Sequence, residues 1–262
     1  MELSIWARLE AAGYTVLGQE NKGRYCHGMA TLCGGLEALS FLREPHLLRI
    51  FSNAKVRKGH AFTYSEIKPL TGTKSAEAVA SLNERLLALA GRQVLLRGYT
   101  LTCPVCDLTA WYELARVAEF VTCVGCRSAF QMPFQIDFAY RLNQLFIEGL
   151  KQGATTVLLT ALWLRLQASG EFTWQAGTRL KRGGKQAEID LIVACDGKLI
   201  VAECKDNIDE ADLAPLQAQL ARQVEVARML GADEFIFATL REDVPPAVPA
   251  ALNAAEALSI RR

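Results

Sequence analysis

Residues 188–205 read EIDLIVACDGKLIVAECK. Two runs rich in β-branched and aliphatic residues, Ile189–Val193 and Leu199–Val201, flank Asp196-Gly197, a dipeptide suited to a type I′ turn, so the segment predicts a β-hairpin. Side chains alternate along a strand, which puts Glu188 and Asp190 on one side of the first strand and Glu203 and Lys205 on one side of its partner. Three carboxylates and an amine can then converge at one end. The plain alternative is a half-solvated face with cross-strand Glu–Lys pairs, each worth ~0.2–1 kcal/mol. Ile192 and Val201 argue against it, because they continue the charged rows with apolar residues. Charge confined to one end of a buried hairpin needs mutual pairing or a cation, which points to a metal-dependent site.

The flanking sequence supplies the rest of a fold. Phe172–Arg179 (FTWQAGTR) reads as a preceding strand. Leu213, Leu216, Leu220, Val224, Ala227 and Leu230 recur at helical spacing, Gly231 suits a C-cap, and Glu234–Thr239 (EFIFAT) reads as a buried strand. The order from about residue 138 to 240 is helix, three strands, helix, strand. Asp190, twelve residues, then Glu203-Cys204-Lys205 resembles the D…(D/E)xK signature of the PD-(D/E)XK nuclease superfamily, and the wording is similar to its Mrr-like, restriction and defence branches. The resemblance covers about the last 40% of the chain. It implies an α/β fold with a mixed sheet flanked by helices, Mg²⁺- or Mn²⁺-dependent endonuclease activity, and a role in restriction or anti-phage defence. DNA is favoured over RNA, and a protein partner in a defence complex or self-association is compatible with it.

Phosphodiester hydrolysis needs charge neutralised on phosphate oxygens and a nucleophile made from water, and a divalent cation does both. A hard ion that keeps several waters is held by one or two carboxylates. Asp190 and Glu203 are assigned as ligands, with the Cys204 carbonyl as a third, while Lys205 orients the attacking water and the Cys204 thiol faces away. Ile189 stands where the family often has Pro. The family's acid on an upstream helix has no counterpart in Thr155–Gln167; Glu148 is the candidate, with Glu171 or Glu188 as substitutes. Relief of repulsion among the acids predicts that Asp190→Ala leaves stability unchanged or raises it.

A second constellation is Cys103-Pro-Val-Cys106, sixteen residues, then Cys123-Val-Gly-Cys126. Two C-x2-C knuckles at this separation predict a structural four-thiolate zinc site, resembling a zinc ribbon, with Trp111, Tyr112, Leu114 and Phe120 supplying its small sheet. Disulfides and iron are the competing readings. Cys26 beside His27 is read as a buried thiol rather than a second metal site.

The amino terminus, MELSIWARLE, has neither the basic nor the apolar region of a secretion signal, and no run reaches the ~18–20 apolar residues that span a bilayer; a cytoplasmic protein without membrane contact is expected. With 262 residues and 51% hydrophobic content the chain can bury more than one core. Its net charge of +1 gives no global field for nucleic acid. Local clusters do better: Arg43, Arg49, Lys55, Arg57, Lys58, Lys68 and Lys74 crowd one stretch, and Arg179, Lys181, Arg182 and Lys185 surround the Gly183-Gly184 turn that enters the motif strand. The latter four are candidate phosphate contacts.

Ahead of the ribbon, Leu3–Leu9 reads as helix, Gly13–Val16 as strand, Ala76–Ala90 as a helix capped by Ser75, and Gln93–Leu101 as strand. The expected division is an N-terminal α/β module of unstated role at 1–98, a zinc ribbon at 99–133, a nuclease-like core at 134–245, and a tail with a short helix at 246–262. The rival to a nuclease is a noncatalytic nucleic-acid-binding or assembly subunit that uses the ribbon and the basic segments.

Overall fold

The computed structural model describes residues 5–72, 75–208, 213–254 and 260–261. The chain divides into two compact units, one built from Met1–Ser40 and Lys151–Arg262, the other from Phe41–Leu150.

The first unit opens with α1 (Ile5–Ala11), β1 (Thr15–Gln19) and α2 (Asn21–Cys33). The second unit then contributes α3 (Pro45–Ser52), α4 (Ala54–Arg57), β2 (Phe62–Thr63), α5 (Tyr64–Thr71), α6 (Ala76–Gly91), β3 (Leu95–Thr102), β4 (Thr109–Glu113), β5 (Phe120–Thr122), β6 (Ala129–Gln131), β7 (Ala139–Leu142) and α7 (Gln144–Lys151). The first unit resumes with α8 (Ala154–Gln167), β8 (Phe172–Arg182), β9 (Lys185–Cys195), β10 (Lys198–Lys205), α9 (Leu213–Met229), β11 (Glu234–Thr239), α10 (Ala247–Ala254) and β12 (Ile260–Arg261).

Among the described residues the first unit's sheet has six strands in the order β1-β8-β9-β10-β11-β12. The β1–β8, β8–β9 and β9–β10 pairs are antiparallel, and β10–β11 and β11–β12 are parallel. The expected hairpin is β9–β10. Asp196 (φ 49°) and Gly197 (φ 79°) both take the left-handed conformation that a type I′ turn needs. Because β10 and β11 run parallel, a crossover must join them, and α9 supplies it. Its Leu220, Val224 and Ala227 bury against Ile192, Leu199 and Val201, together with Ile5 and Leu9 of α1 and Val248 and Leu252 of α10. The opposite face meets α8, an apolar helix with nine buried residues; Cys204 Sγ lies 3.8 Å from Thr160 Oγ1 there. The fold is thus mixed α/β with helices on the sheet.

In the second unit, β2-β7-β3-β4 form an antiparallel sheet and β5-β6 a separate hairpin. Leu101, Tyr112, Val121 and Phe130 make a small core around Cys103 and Cys123. α6 is capped as expected: Ser75 Oγ accepts from the Ala78 amide at 3.1 Å.

These units differ from the division expected at 1–98, 99–133, 134–245 and 246–262. Residues up to 40 belong with the β9–β10 sheet because β1 pairs with β8. Residues 134–150 belong with the ribbon because β7 pairs with β3. Val248 and Leu252, in the expected tail, are core residues. Strand pairing across such separations leaves no mark in local composition.

Candidate functional site

The end of the hairpin away from its turn carries the expected cluster. Asp190 and Glu203 are 3% and 2% exposed, so both carboxyls are withdrawn from bulk solvent and depend on partners within the protein. Asp190 Oδ2 accepts from the Cys204 amide at 2.9 Å, which ties the two strands together where their ladder ends at Leu191–Ala202. Glu203 Oε1 accepts from Lys205 Nζ at 2.9 Å and from Gln219 Nε2 of α9 at 2.7 Å. One turn further along α9, Gln223 Nε2 donates to the Glu188 carbonyl at 2.5 Å.

The partner of Asp190 Oδ1 is Lys22 Nζ of α2, 2.5 Å away. A pair of glycines brings that helix so close. Glu20 donates its amide to the Gly177 carbonyl at 2.7 Å, a Cβ on Gly23 would lie 2.0 Å from the Ala176 oxygen, and a Cβ on Gly177 would lie 2.6 Å from the Gly23 nitrogen. Gly177 also has φ +58°, so only glycine suits the crossing. The first turn of α2 therefore lies against β8, and Lys22 reaches the acids.

The electrostatics follow from this packing. Burial first, then the neighbouring Asp190, pushes the Glu203 carboxyl up to about 7 despite the pull of Lys205. Glu188, at the exposed rim, is also raised, by desolvation and Asp190 against the opposing charge of Lys22. Burial acts to lower Lys22, but Asp190, with Glu188 and Glu203 behind it, outweighs burial and raises it. Cys26, one turn on, is a buried thiol pushed up to about 12 by desolvation, and His27 stacks on Trp174 with centroids 4.2 Å apart. Burial likewise raises the Cys204 thiol, which points to Thr160 and not to the acids.

The other candidates divide. Glu148 lies on α7 of the second unit and accepts from Gln144 Nε2 at 2.8 Å. Glu171 sits by the hairpin turn, its carbonyl accepting from the Asp196 amide, six residues and about 20 Å up the strand from Asp190. Glu20 precedes α2, and its charge is felt by Glu188. Arg179 pairs with Glu20 at 2.8 Å. Arg182 lies over the Tyr14 ring, 5.5 Å from its centroid, and its Nη1 is 2.9 Å from Met229 Sδ. Lys181 and Lys185 are exposed on either side of the Gly183-Gly184 turn. A cleft of about 470 Å³ beside the cluster is lined by Arg182, Lys185, Glu188, Gln219, Arg222 and Gln223. In the basic stretch of the second unit, Lys55 pairs with Glu66 and Arg57 donates to the Leu150 carbonyl; Lys74 lies outside the described residues.

Lys22, Glu20, Gln219, Gln223 and Arg222 were not singled out by sequence reasoning. Two signals existed: a glycine within the helical stretch after Glu20, which marks a close backbone approach, and two glutamines four apart beside the apolar stripe of α9.

In the second unit the four knuckle cysteines come together, all sulfurs within 4.8 Å of one another. Cys103 and Cys126 sulfurs are 3.7 Å apart, and those of Cys106 and Cys123 3.6 Å. Tetrahedral zinc with Zn–S near 2.3 Å implies sulfurs ~3.8 Å apart, whereas a disulfide needs about 2.05 Å. All eight cysteines are free thiols, so the spacing fits an ion and not a bridge. Hydrogen bonds from the Ser128 side chain and amide draw Cys126 down to about 6, toward the thiolate a metal takes. Among the described residues, only this group brings three or more such ligand atoms so close; the carboxylate cluster is looser.

No protein-family model and no curated protein matches the sequence. Among solved structures the chain is similar to protein VC1899 from Vibrio cholerae, at 12% identity and TM-score 0.41. It is also similar to Can2 from Sulfobacillus thermosulfidooxidans in complex with cyclic tetra-adenylate, at 12% identity and TM-score 0.43. Each match covers 99% of this chain and 57% of the other, so the chain spans little more than half the length of either. Among the described residues no helix is long and apolar enough to cross a membrane.

Proposed function

We propose that the chain is a nuclease of the PD-(D/E)XK type that hydrolyses phosphodiester bonds with Mg²⁺ or Mn²⁺, acting on DNA in restriction or anti-phage defence, with a structural zinc in the cysteine cluster. The observation that carries this is the convergence at one end of the hairpin of two buried acids, Asp190 and Glu203, with Lys205, which pairs with Glu203. A divalent cation fits these residues. Glu188 and Glu203 are both held above the usual carboxylate range, partly by the charge of Asp190, and a cation relieves that repulsion. Two carboxylates suffice for an ion that keeps most of its water.

When bound, the cation would neutralise phosphate charge and lower the pKa of water. Asp190 and Glu203 would hold it, with the Cys204 carbonyl, Glu188 or Glu20 completing the set. Gln219 fixes the rotamer of Glu203. Lys205, 31% exposed at its side chain, orients the attacking water, and Arg182, Lys185 and Arg222 along the cleft hold the phosphate chain. Four thiolates leave no open position, so the cysteine site serves folding rather than chemistry.

One observation favours the noncatalytic reading, in which the ribbon and basic segments bind nucleic acid without cleaving it: Lys22 already neutralises Asp190. Incubating the purified protein with supercoiled plasmid, single-stranded DNA and RNA, in Mg²⁺ or Mn²⁺ with and without EDTA, separates the two. Metal-dependent cleavage lost in both Glu203→Ala and Lys205→Ala is expected. Binding without cleavage in either metal would support the noncatalytic subunit.

A further inference from the structure

The first turn of α2 delivers an ammonium to the carboxylate that a metal would use. Lys22 Nζ is 2.5 Å from Asp190 Oδ1, while Oδ2 holds the Cys204 amide, so both oxygens of Asp190 already serve protein donors. The Lys22 side chain is only 19% exposed, which leaves its charge poorly screened by water. Glu203 has its own ammonium in Lys205. The two buried acids thus have two lysines, one from the hairpin and one from a helix 168 residues before Asp190.

The Gly23–Gly177 crossing and the Glu20 amide's bond to the Gly177 carbonyl seat the first turn of α2 directly on β8, so Lys22 is carried on a backbone tied to the sheet and its side-chain torsions offer the ammonium a way to move. Its charge also bears on Glu188 and on the Cys26 thiol. An ordinary surface lysine would gain little from such a pair; this one sits among three acids and next to the position proposed for a doubly charged ion.

We propose that Lys22 is the resident counter-ion of the carboxylate site, which a divalent cation must displace from Asp190, so that the first turn of α2 sets the metal affinity of the site. The proposal rests on the nuclease reading only in taking Asp190 and Glu203 as metal ligands. Like charges repel, so the ammonium weakens metal binding where it stays and must swing aside where the metal enters. Lys22 acts through Asp190 and is a positioning residue.

The test is Mn²⁺ binding to the full chain, read from the paramagnetic resonance of free Mn²⁺, together with the Mn²⁺-induced rise in Tm. Lys22→Met is expected to bind Mn²⁺ at least tenfold more tightly than the unaltered protein and to gain more Tm from it, from a lower metal-free starting point. Lys22→Arg keeps the charge and should stay within about threefold of the unaltered protein, on the same electrostatic ground. Adding Asp190→Asn to Lys22→Met should abolish the gain. Should Lys22→Met precipitate, Lys22→Gln takes its place with the same expected direction. Equal or weaker binding in the neutral variants, equal tightening in Lys22→Arg, or no Mn²⁺ binding by any of them overturns the proposal. Tightening without DNA cleavage in any variant leaves it standing and removes the nuclease reading instead.

Discussion

The cysteine cluster of the second unit takes its four sulfurs from two short knuckles, Cys103–Cys106 and Cys123–Cys126. The carboxylate cluster of the first takes Lys22 from α2, Asp190 from β9, Glu203 from β10 and Gln219 from α9. One is a closed set of soft ligands with a small core of its own around it. The other is a set of hard oxygens in which Asp190 and Glu203 each already hold a lysine and an amide. Ligand sets of the first kind pull a module together, whereas those of the second are held in place by a fold that already exists. The comparison teaches that stability should depend on metal in the second unit and on charge pairing in the first.

The largest expected effect follows directly. Closed thiolate sites bind zinc with ~10–16 kcal/mol, more than a small module's own stability, so Cys103→Ser with Cys126→Ser should unfold the second unit. Elemental analysis should find about one zinc per chain before the change and none after it. A double variant that keeps the near-UV circular dichroism of Trp111 and Tyr112 would break the contrast, since that unit would then stand without its metal.

Next comes catalysis. Glu203→Ala and Lys205→Ala should each lower the cleavage rate by about 10²–10⁴, in the range of acid–base and electrostatic contributions at a reacting centre, while zinc content stays unchanged. The check is plasmid nicking at saturating Mn²⁺. Full activity in the double variant removes the reaction from this site.

Asp190 sharpens the comparison further, because packing reverses what repulsion alone suggests. The acids taken by themselves predict that Asp190→Ala is neutral or stabilising. Yet Asp190 is the partner of a four-fifths buried lysine and accepts the Cys204 amide, so its removal strands a charge and a backbone donor together. A loss of ~3–5 kcal/mol is expected, read as a lower urea midpoint at unchanged slope. Lys22→Met with Asp190→Leu should recover part of it.

That reversal marks how far the sequence could be read. The hairpin, its turn, α9, β11 and the four cysteines are all stated by residues within about twenty positions of one another, and each was legible from periodicity or spacing. Lys22 and Glu20 join the same site from the far end of the chain. Only the packing of Gly23 against Gly177 puts them there, and the interior glycine of α2 was the faint mark of it. Glu148, the upstream acid the sequence suggests, belongs to the other unit, Phe41–Leu150. The expected module boundaries differ from the two units, because β1 and β7 announce themselves as strands but not as partners of β8 and β3.

The smallest expected effect is the dependence on pH, and it separates the two clusters by sign. Glu203 is raised to about 7 by burial, with Asp190 adding to it. Against an unfolded value near the usual 4.3, the folded chain holds this proton more firmly, so the contribution to stability is fully present below about pH 4.3 and is lost as pH rises through about 7. Glu188, raised for the same causes, acts in the same direction. Metal-free protein should therefore lose stability from this cluster between pH 5 and 8, and Glu203→Gln should flatten that slope. Mn²⁺ needs the ionised carboxyls, so the rise in Tm it produces should grow over the same interval and offset the loss. The thiolate site runs the other way at its own end of the scale, because acid protonates sulfur and releases the metal. A chelated protein whose first-unit Tm does not change from pH 5 to 8, or changes equally in Glu203→Gln, would show that Lys205 and Gln219 satisfy Glu203 as an ion, and the contrast between a charge-held unit and a metal-held one would narrow accordingly.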